Sequence, residues 1–393
     1  MASRSLYNVM IIGAGEINFG SPEGPWNHTL RLERILGDRL RVLALIDPDT
    51  SRCASRIDEK TSSSPTSSSW SACRAFANID DASTALAGQS IDLIVVGCPP
   101  HFRGTTTPGK DTDVLVSRAF PRAGSILVEK PVAAVDPKGG ECHAALKEMH
   151  VWSQANGEAL GVGYMLRYSK AVAAIREILS EHKLIPTCIN ARYFMAYEFA
   201  RKLSWWDKSA SCGPVVEQAT HFVDLVRHIA GVSSNPALLD TVRATAVEHN
   251  EPAGALSKLG FDESLIEEPK RVPRVTTAFW KHQLGTIGTL CHGITLHGTT
   301  YDTELEVLAD GWVMRLRDAY GRSPSLSIRR PGAAQEEKVV FEDDDPFYTQ
   351  MATFVAASES REAPRPLSTY EDALGTYELT WQIRHASEER LAR

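Results

Sequence analysis

The stretch Tyr7-Asn8-Val9-Met10-Ile11-Ile12-Gly13-Ala14-Gly15-Glu16-Ile17-Asn18 decides the fold. A short apolar run closed by Gly-Ala-Gly reads as a strand buried on both faces that ends in a tight turn. Gly13 and Gly15 let backbone N–H groups approach a pyrophosphate with no Cβ in the way. The helix that follows adds partial positive charge worth about 0.3–1 kcal/mol to an anion. Glu16, Ile17 and Asn18 complete the turn as cofactor-binding candidates. Asn18 stands where the dinucleotide pattern has its third glycine, and Asn tolerates left-handed backbone better than most residues. Phe19 to Trp26 is an insertion before the next helix, and Gly20 or Gly24 is a candidate for the missing glycine's role.

Moving outward, Asn27 to Leu36 carries Leu30, Leu32, Ile35 and Leu36 on one helix face, with Gly37 as terminator, and Arg41 to Asp47 is a second buried run. Strand, glycine turn, helix, strand is a βαβ unit. Asp47 at the strand end can accept both ribose hydroxyls and repels a 2′-phosphate, which favours NAD, while Arg52 leaves NADP open. It follows Gly13 by 34 residues rather than ~20, and the inserted turn accounts for much of the excess. Taken alone, these residues also fit an ordinary tight turn and a strand-end carboxylate with no ligand.

Ile91 to Gly97 and Ser125 to Lys130 add two more buried runs, so residues 1–137 read as a parallel sheet with helices on its faces. Thr61 to Ser71 has the composition of a solvated surface insertion. Residues 138–393 read as a second, α+β domain. Helical stretches at Cys142 to Asn156 and Ser169 to His182 precede β-rich runs at Thr187 to Phe194, Thr276 to Leu284, Thr289 to His297 and Glu304 to Leu308. Pro346 to Ala357 and Thr369 to Leu391 are helical by period, and these last helices are candidates to pack back on the first domain.

With 393 residues, 43% hydrophobic and 23% charged, the chain is long enough for two or three globular cores and unlike disordered or collagenous chains. A net charge of −7 gives no basic field for a phosphate backbone, so no nucleic-acid partner is expected. Seven cysteines without a CxxC pair signal neither a disulfide framework nor a zinc ribbon. No apolar run is long enough to span a bilayer, so a cytoplasmic protein with no membrane partner is expected.

Three further motifs follow in order: Cys98-Pro99-Pro100-His101 after the third buried run, Glu129-Lys130-Pro131 after the fourth, and Gly213-Pro214-Val215-Val216-Glu217-Gln218-Ala219-Thr220-His221-Phe222-Val223-Asp224 downstream. With the glycine turn, this set resembles the glucose-fructose oxidoreductase and inositol dehydrogenase (Gfo/Idh/MocA) family of NAD(P)-dependent enzymes over nearly the whole chain. The resemblance implies an α/β fold: an N-terminal Rossmann domain with a parallel sheet plus a C-terminal α+β domain with a large, mostly antiparallel open sheet. It implies that Cys98 to His101, Glu129 and Lys130 bind cofactor, with the lysine between nicotinamide and substrate. It assigns an acidic residue and a histidine of the same site to Glu217 and His221. This chain has Pro214 for a glycine, Glu217 for an aspartate and Ala219 for a glycine. Tyr164 and Arg167, in the segment leading to the second domain, are candidate substrate contacts. Pro364, Ser368 and Asp372-Ala373-Leu374 resemble the family's approach to its last helix. A homodimer or homotetramer and a sugar-like or polyol substrate are also implied. A non-catalytic regulator similar to the galactose-regulon repressor, and a relative that uses bound NAD transiently for hydrolysis or epimerisation, stay open.

Oxidation of a secondary alcohol needs a base for the hydroxyl proton and a donor on the same oxygen, and Lys130 and His221 can be that pair. If Pro214 starts a helix, Glu217 and His221 stand at i and i+4 on one face, and Asp224 follows three residues later. No further His or Cys joins them at metal-site spacing, so no metal is expected. Trp205-Trp206 reads either as a wall against sugar C–H groups, with Trp206 as the substrate contact, or as a core anchor. His292 and His297 read as structural.

Overall fold

Six strands, β1 (Tyr7–Ile12), β2 (Leu40–Ile46), β3 (Arg74–Phe76), β4 (Leu93–Val96), β5 (Ser125–Val128) and β6 (Leu160–Val162), form one sheet in the order β3-β2-β1-β4-β5-β6. All of its pairings are parallel. The computed structural model describes residues 5–389 apart from Glu23, residues 63–66, Phe199 and Arg201. The order reverses direction between β1 and β4, and ligands of doubly wound sheets sit beyond the carboxyl ends of the strands at that switch. Register brings those ends level, since Ile12 pairs with Ile46 and Val96, Val96 with Val128, and Val128 with Val162. Val9 and Ile11 are buried with Leu32, Val42, Leu45, Leu93 and Leu127, together with Met351, Phe354 and Val355 of the helix Pro346–Glu359.

This sheet belongs to a unit made of residues 1–165 and 347–374, and residues 166–346 and 375–393 make a second unit. The return of residues 347–374 to the first unit completes its sheet edge as well as its core. Val162 N–H donates to the Ser368 carbonyl at 3.0 Å, and a Cβ on Gly161 would lie 2.6 Å from Pro366, so only glycine fits there.

The second unit holds β7 (Cys188–Ala196), β8 (Ala237–Val247), β9 (Val275–His282), β10 (Ile287–Leu296), β11 (Tyr301–Ala309), β12 (Trp312–Arg317), β13 (Ser325–Arg329) and β14 (Glu337–Val340). Their order is β14-β13-β12-β11-β7-β10-β9-β8, with β7 and β10 parallel and the other neighbours antiparallel. Alternation on β7 turns Ile189, Ala191, Tyr193 and Met195 inward, where the helix Thr220–Ala230 covers them through Phe222, 5.2 Å from the Tyr193 ring. Among the described residues, no helix is long and apolar enough to cross a membrane.

One expectation needs correction. Thr61 and Ser62 end the helix Thr50–Ser62, and Ser67–Trp70 forms another helical turn, while residues 63–66 lie outside the described set. Trp70 is 1% exposed and its Nε1–H donates to Glu33 at 2.9 Å, so this end of the Ser-rich stretch is anchored, not solvated. One buried indole outweighs its serine neighbours.

Candidate active site

In the first unit, Gly13 adopts φ +93°, and a Cβ there would stand 3.0 Å from the Gly97 carbonyl group. Among the described residues nothing lies within 4 Å of where a Gly15 Cβ would be, so the turn is open at Gly15, the residue that precedes the short helix Glu16–Phe19. That opening fits a dinucleotide phosphate. Asn18 is fully buried, and its Nδ2 donates to the carbonyls of Gly13 (2.7 Å) and Ile12 (3.2 Å). It occupies the room that a side chain on Gly97 would need, 2.4 Å from that position, so the absent third glycine is matched by a glycine just after the neighbouring strand β4. The Asn18 amide thus faces the strand ends. Gly20 and Gly24 do not replace the missing glycine either. Gly20 closes the short helix, and Gly24 lies under the Trp26 ring.

Asp47 leaves β2 nearly buried. Its Oδ2 accepts from Ala14 N–H at 2.9 Å, and its Oδ1 from Asp49 N–H at 3.0 Å and from Arg52 Nη2 at 3.3 Å. The carboxylate therefore shapes the glycine turn, and the guanidinium named for NADP lies beside it.

Glu129 and Lys130 follow β5. The buried Glu129 carboxylate meets His28 Nε2 at 2.7 Å and accepts the Lys130 N–H at 3.1 Å. Gly163 makes the room, since a Cβ on it would lie 2.9 Å from Glu129 Oε1. Arg103, 1% exposed, donates to the carbonyls of Cys98 (3.1 Å), Lys130 (3.2 Å), Pro131 and Val132 (2.9 Å), tying the loop after β4 to the loop after β5. Both sides of the Lys130 peptide are thus fixed. His101 lies exposed on the turn after Pro100, and Tyr164 is fully buried beyond β6.

Burial pushes the Glu129 carboxyl upward, but the hydrogen bond from His28 and the charges of His28, Lys130 and Arg103 outweigh it and hold the group below its ordinary value. A depressed folded-state pKa adds stability above about 4.5 that is lost as the pH falls through the lower folded value. Chemical denaturation should therefore show native protein losing more stability than Glu129→Gln between pH 7 and pH 3. Equal losses would exclude a charged Glu129.

In the second unit, Pro214–Glu217 is a single helical turn, and Thr220–Ala230 is a separate helix that starts after Ala219. The expectation of Glu217 and His221 on one continuous helix is corrected: Ala219 N–H reaches back to the Pro214 carbonyl and interrupts the i to i−4 ladder. Both residues nonetheless face one tyrosine. The His221 ring stands edge-on to Tyr320 with centroids 5.9 Å apart, and the Glu217 charge acts on the Tyr320 phenol. Trp205 Nε1–H donates to Glu217 Oε2 at 3.3 Å. Trp206 is fully buried against Tyr197, Phe261 and Arg274, so the core-anchor alternative holds for it and Trp205 is the indole beside Glu217.

Arg167 meets Asp224 in a two-pronged pair, Nε to Oδ2 at 2.7 Å and Nη2 to Oδ1 at 2.5 Å, with side-chain exposures of 0% and 1%. This corrects the view of Arg167 as a substrate contact: it and Asp224 face each other inside the fold. His292 is a core residue whose Nε2 meets Gln218 Oε1 at 3.0 Å, and burial lowers its pKa to about 3.

Sequence reading passed over His28, Arg103, Tyr193 and Tyr320. The period-2 alternation of β7 was a usable sign for Tyr193. His28 and Arg103 matter through partners 101 and about 30 residues away, and no local pattern marks that.

Residues 7–158 match the family model described as "Oxidoreductase family, NAD-binding Rossmann fold", and residues 167–312 match an oxidoreductase C-terminal domain. An uncharacterized protein of Schizosaccharomyces pombe is 38% identical over 383 residues, covering 96% of each chain. A second from that organism is 36% identical, covering 97% of this chain and 91% of its own. Among solved structures, UDP-N-acetylglucosamine 3-dehydrogenase from Acidithiobacillus ferrooxidans superposes with a TM-score of 0.65 at 15% identity, covering 98% of this chain and 99% of its own. A 3-ketoreductase from Actinomadura kijaniata, in complex with NADP and TDP-benzene, gives 0.64 at 15% identity with 98% of each chain covered. At such identities the likeness is one of fold.

Proposed function

Because the chain belongs to the oxidoreductase family with an NAD-binding Rossmann fold, the Gfo/Idh/MocA family, we propose that it moves a hydride between bound NAD and a secondary alcohol or the matching ketone. The substrate is a sugar, cyclitol or related polyol. Support for that class comes from the dehydrogenase and ketoreductase among the structural neighbours.

The observation that carries the reading is the level edge of the parallel sheet. The open glycine turn, Asp47, Cys98 and the braced Glu129-Lys130 all leave the sheet there, at the switch point between β1 and β4. Gly13 to Ile17 hold the pyrophosphate, Asp47 the ribose, and the segment Cys98 to His101 with Lys130 the nicotinamide end. Bound nicotinamide accepts or supplies the hydride. Lys130 and His221 share the remaining work: one takes the hydroxyl proton, the other hydrogen-bonds the same oxygen, and reduction reverses the roles. Glu217 binds a neighbouring hydroxyl. A homodimer or homotetramer through the open face of the larger sheet, where Phe279 on β9 is 51% exposed, belongs to the same reading.

The test is purified protein with NAD or NADP and a panel of sugars, cyclitols and sugar nucleotides, followed by absorbance of reduced nicotinamide. Turnover supports the reading, and cofactor binding without turnover on any panel member contradicts it. Asp47→Ala should weaken NAD about tenfold or more, the loss expected for hydrogen bonds to a charged group. NADP should weaken less, because the change releases Arg52. Calorimetric titration with both cofactors checks this, and equal losses would overturn it.

A further inference from the structure

The loop between β12 and β13 delivers a tyrosine to Glu217 and His221, and the loop is built to hold it still. Asp318 N–H donates to the Thr303 carbonyl at 3.2 Å, and Ala319 N–H donates to Thr303 Oγ1 at 3.0 Å, pinning the loop to β11. Gly321 N–H closes onto the Asp318 carbonyl at 2.8 Å, and a Cβ on Gly321 would stand 2.0 Å from the Asp318 carboxylate. Tyr320, between these anchors, is only partly buried. Its ring packs on Tyr193 (5.5 Å), Tyr301 (5.7 Å) and Phe222 (6.0 Å) and edge-on to His221 (5.9 Å). Burial, then the neighbouring Tyr301 and Glu217, keep the Tyr320 phenol protonated well beyond neutral pH, so it is a donor and not a base. Tyr193, behind it, acts as its hydrogen-bond partner and is likewise held protonated by burial.

We propose that Tyr320 is a substrate-contacting residue: its phenol donates to the oxygen next to the one that His221 serves, so the site selects substrates with two adjacent oxygens. This rests on the reading of Glu217 and His221 as substrate-facing and narrows the polyol class to vicinal diols and their hydroxyketones. A site that hydrogen-bonds a particular hydroxyl rejects the analogue that lacks it far more strongly than an apolar wall does.

The experiment pairs binding with turnover in the cofactor-loaded protein. Binding of myo-inositol, glucose and UDP-N-acetylglucosamine is measured by ligand-observed NMR, alongside cyclohexanol and cyclohexane-1,3-diol as probes lacking a vicinal partner. The wild type should prefer a vicinal diol at least tenfold. Tyr320→Phe should lose most of that preference and tenfold or more in kcat/KM, with cofactor affinity unchanged. Tyr193→Phe, which keeps the ring packing, should show a smaller loss of the same kind. A Tyr320→Phe protein that keeps the preference and the kcat/KM overturns the proposal, as does a wild type that binds no diol. A wild type that binds diols through Tyr320 without ever reducing NAD upholds this inference and sinks the hydride-transfer reading, so the two failures are distinct.

Discussion

Lys130→Met should lower kcat about a thousandfold while the dissociation constant for NAD stays within a few-fold. Methionine keeps the length and most of the apolar stem of lysine, so the change removes the ammonium and little else. Positioned acid–base groups contribute roughly 10²–10⁴ to rate. The peptide of Lys130 is held from both sides, by the Glu129 carboxylate on its N–H and the Arg103 guanidinium on its carbonyl. The substitution therefore leaves the loop in place, and lost turnover reports lost chemistry. Steady-state kinetics with a turned-over polyol and a fluorescence titration with cofactor check both halves. Full activity in the variant would remove Lys130 from the mechanism.

Arg167→Met should cost about 3–5 kcal/mol of stability, the usual result of stripping one partner from a buried ion pair and leaving a carboxylate such as Asp224 uncompensated. At about 2–4 °C per kcal/mol for a unit of this size, that is a fall in Tm of roughly 6–20 °C. Arg167→Met combined with Asp224→Leu should recover most of it, because two apolar residues replace the pair with no charge left behind. Thermal unfolding of the single and double variants decides the point. A substrate-binding Arg167 would instead raise KM with Tm unchanged.

The parallel sheet was largely legible because its strands are continuous apolar runs: Tyr7 to Ile12 and Leu40 to Ile46 appear almost residue for residue as read. The three-residue strands Arg74–Phe76 and Leu160–Val162 are too short for any periodicity, and β12 to β14 carry charged and serine residues that hide the alternation. The local structure of the candidate site was legible where a motif is contiguous, as in the turn at Gly13 to Gly15 and the strand end at Glu129-Lys130. It was not legible where long-range contacts decide a residue's part. Arg167 and Trp206 look like ligand contacts in sequence, and only their partners, Asp224 and the Tyr197 to Phe261 cluster, turn them into the frame of the second unit. Tyr320 sits in a connection that no periodicity marks.

The central claim is that Lys130 and His221 act as one catalytic pair, and a double-variant cycle on single-turnover hydride transfer tests it most directly. Rates for Lys130→Met, His221→Ala and the combined variant are compared with the native rate under saturating cofactor. Residues that work as a unit are non-additive, so the combined variant should be no slower than the worse single variant within a few-fold. Losses that multiply, or a native rate in either single variant, would contradict the account.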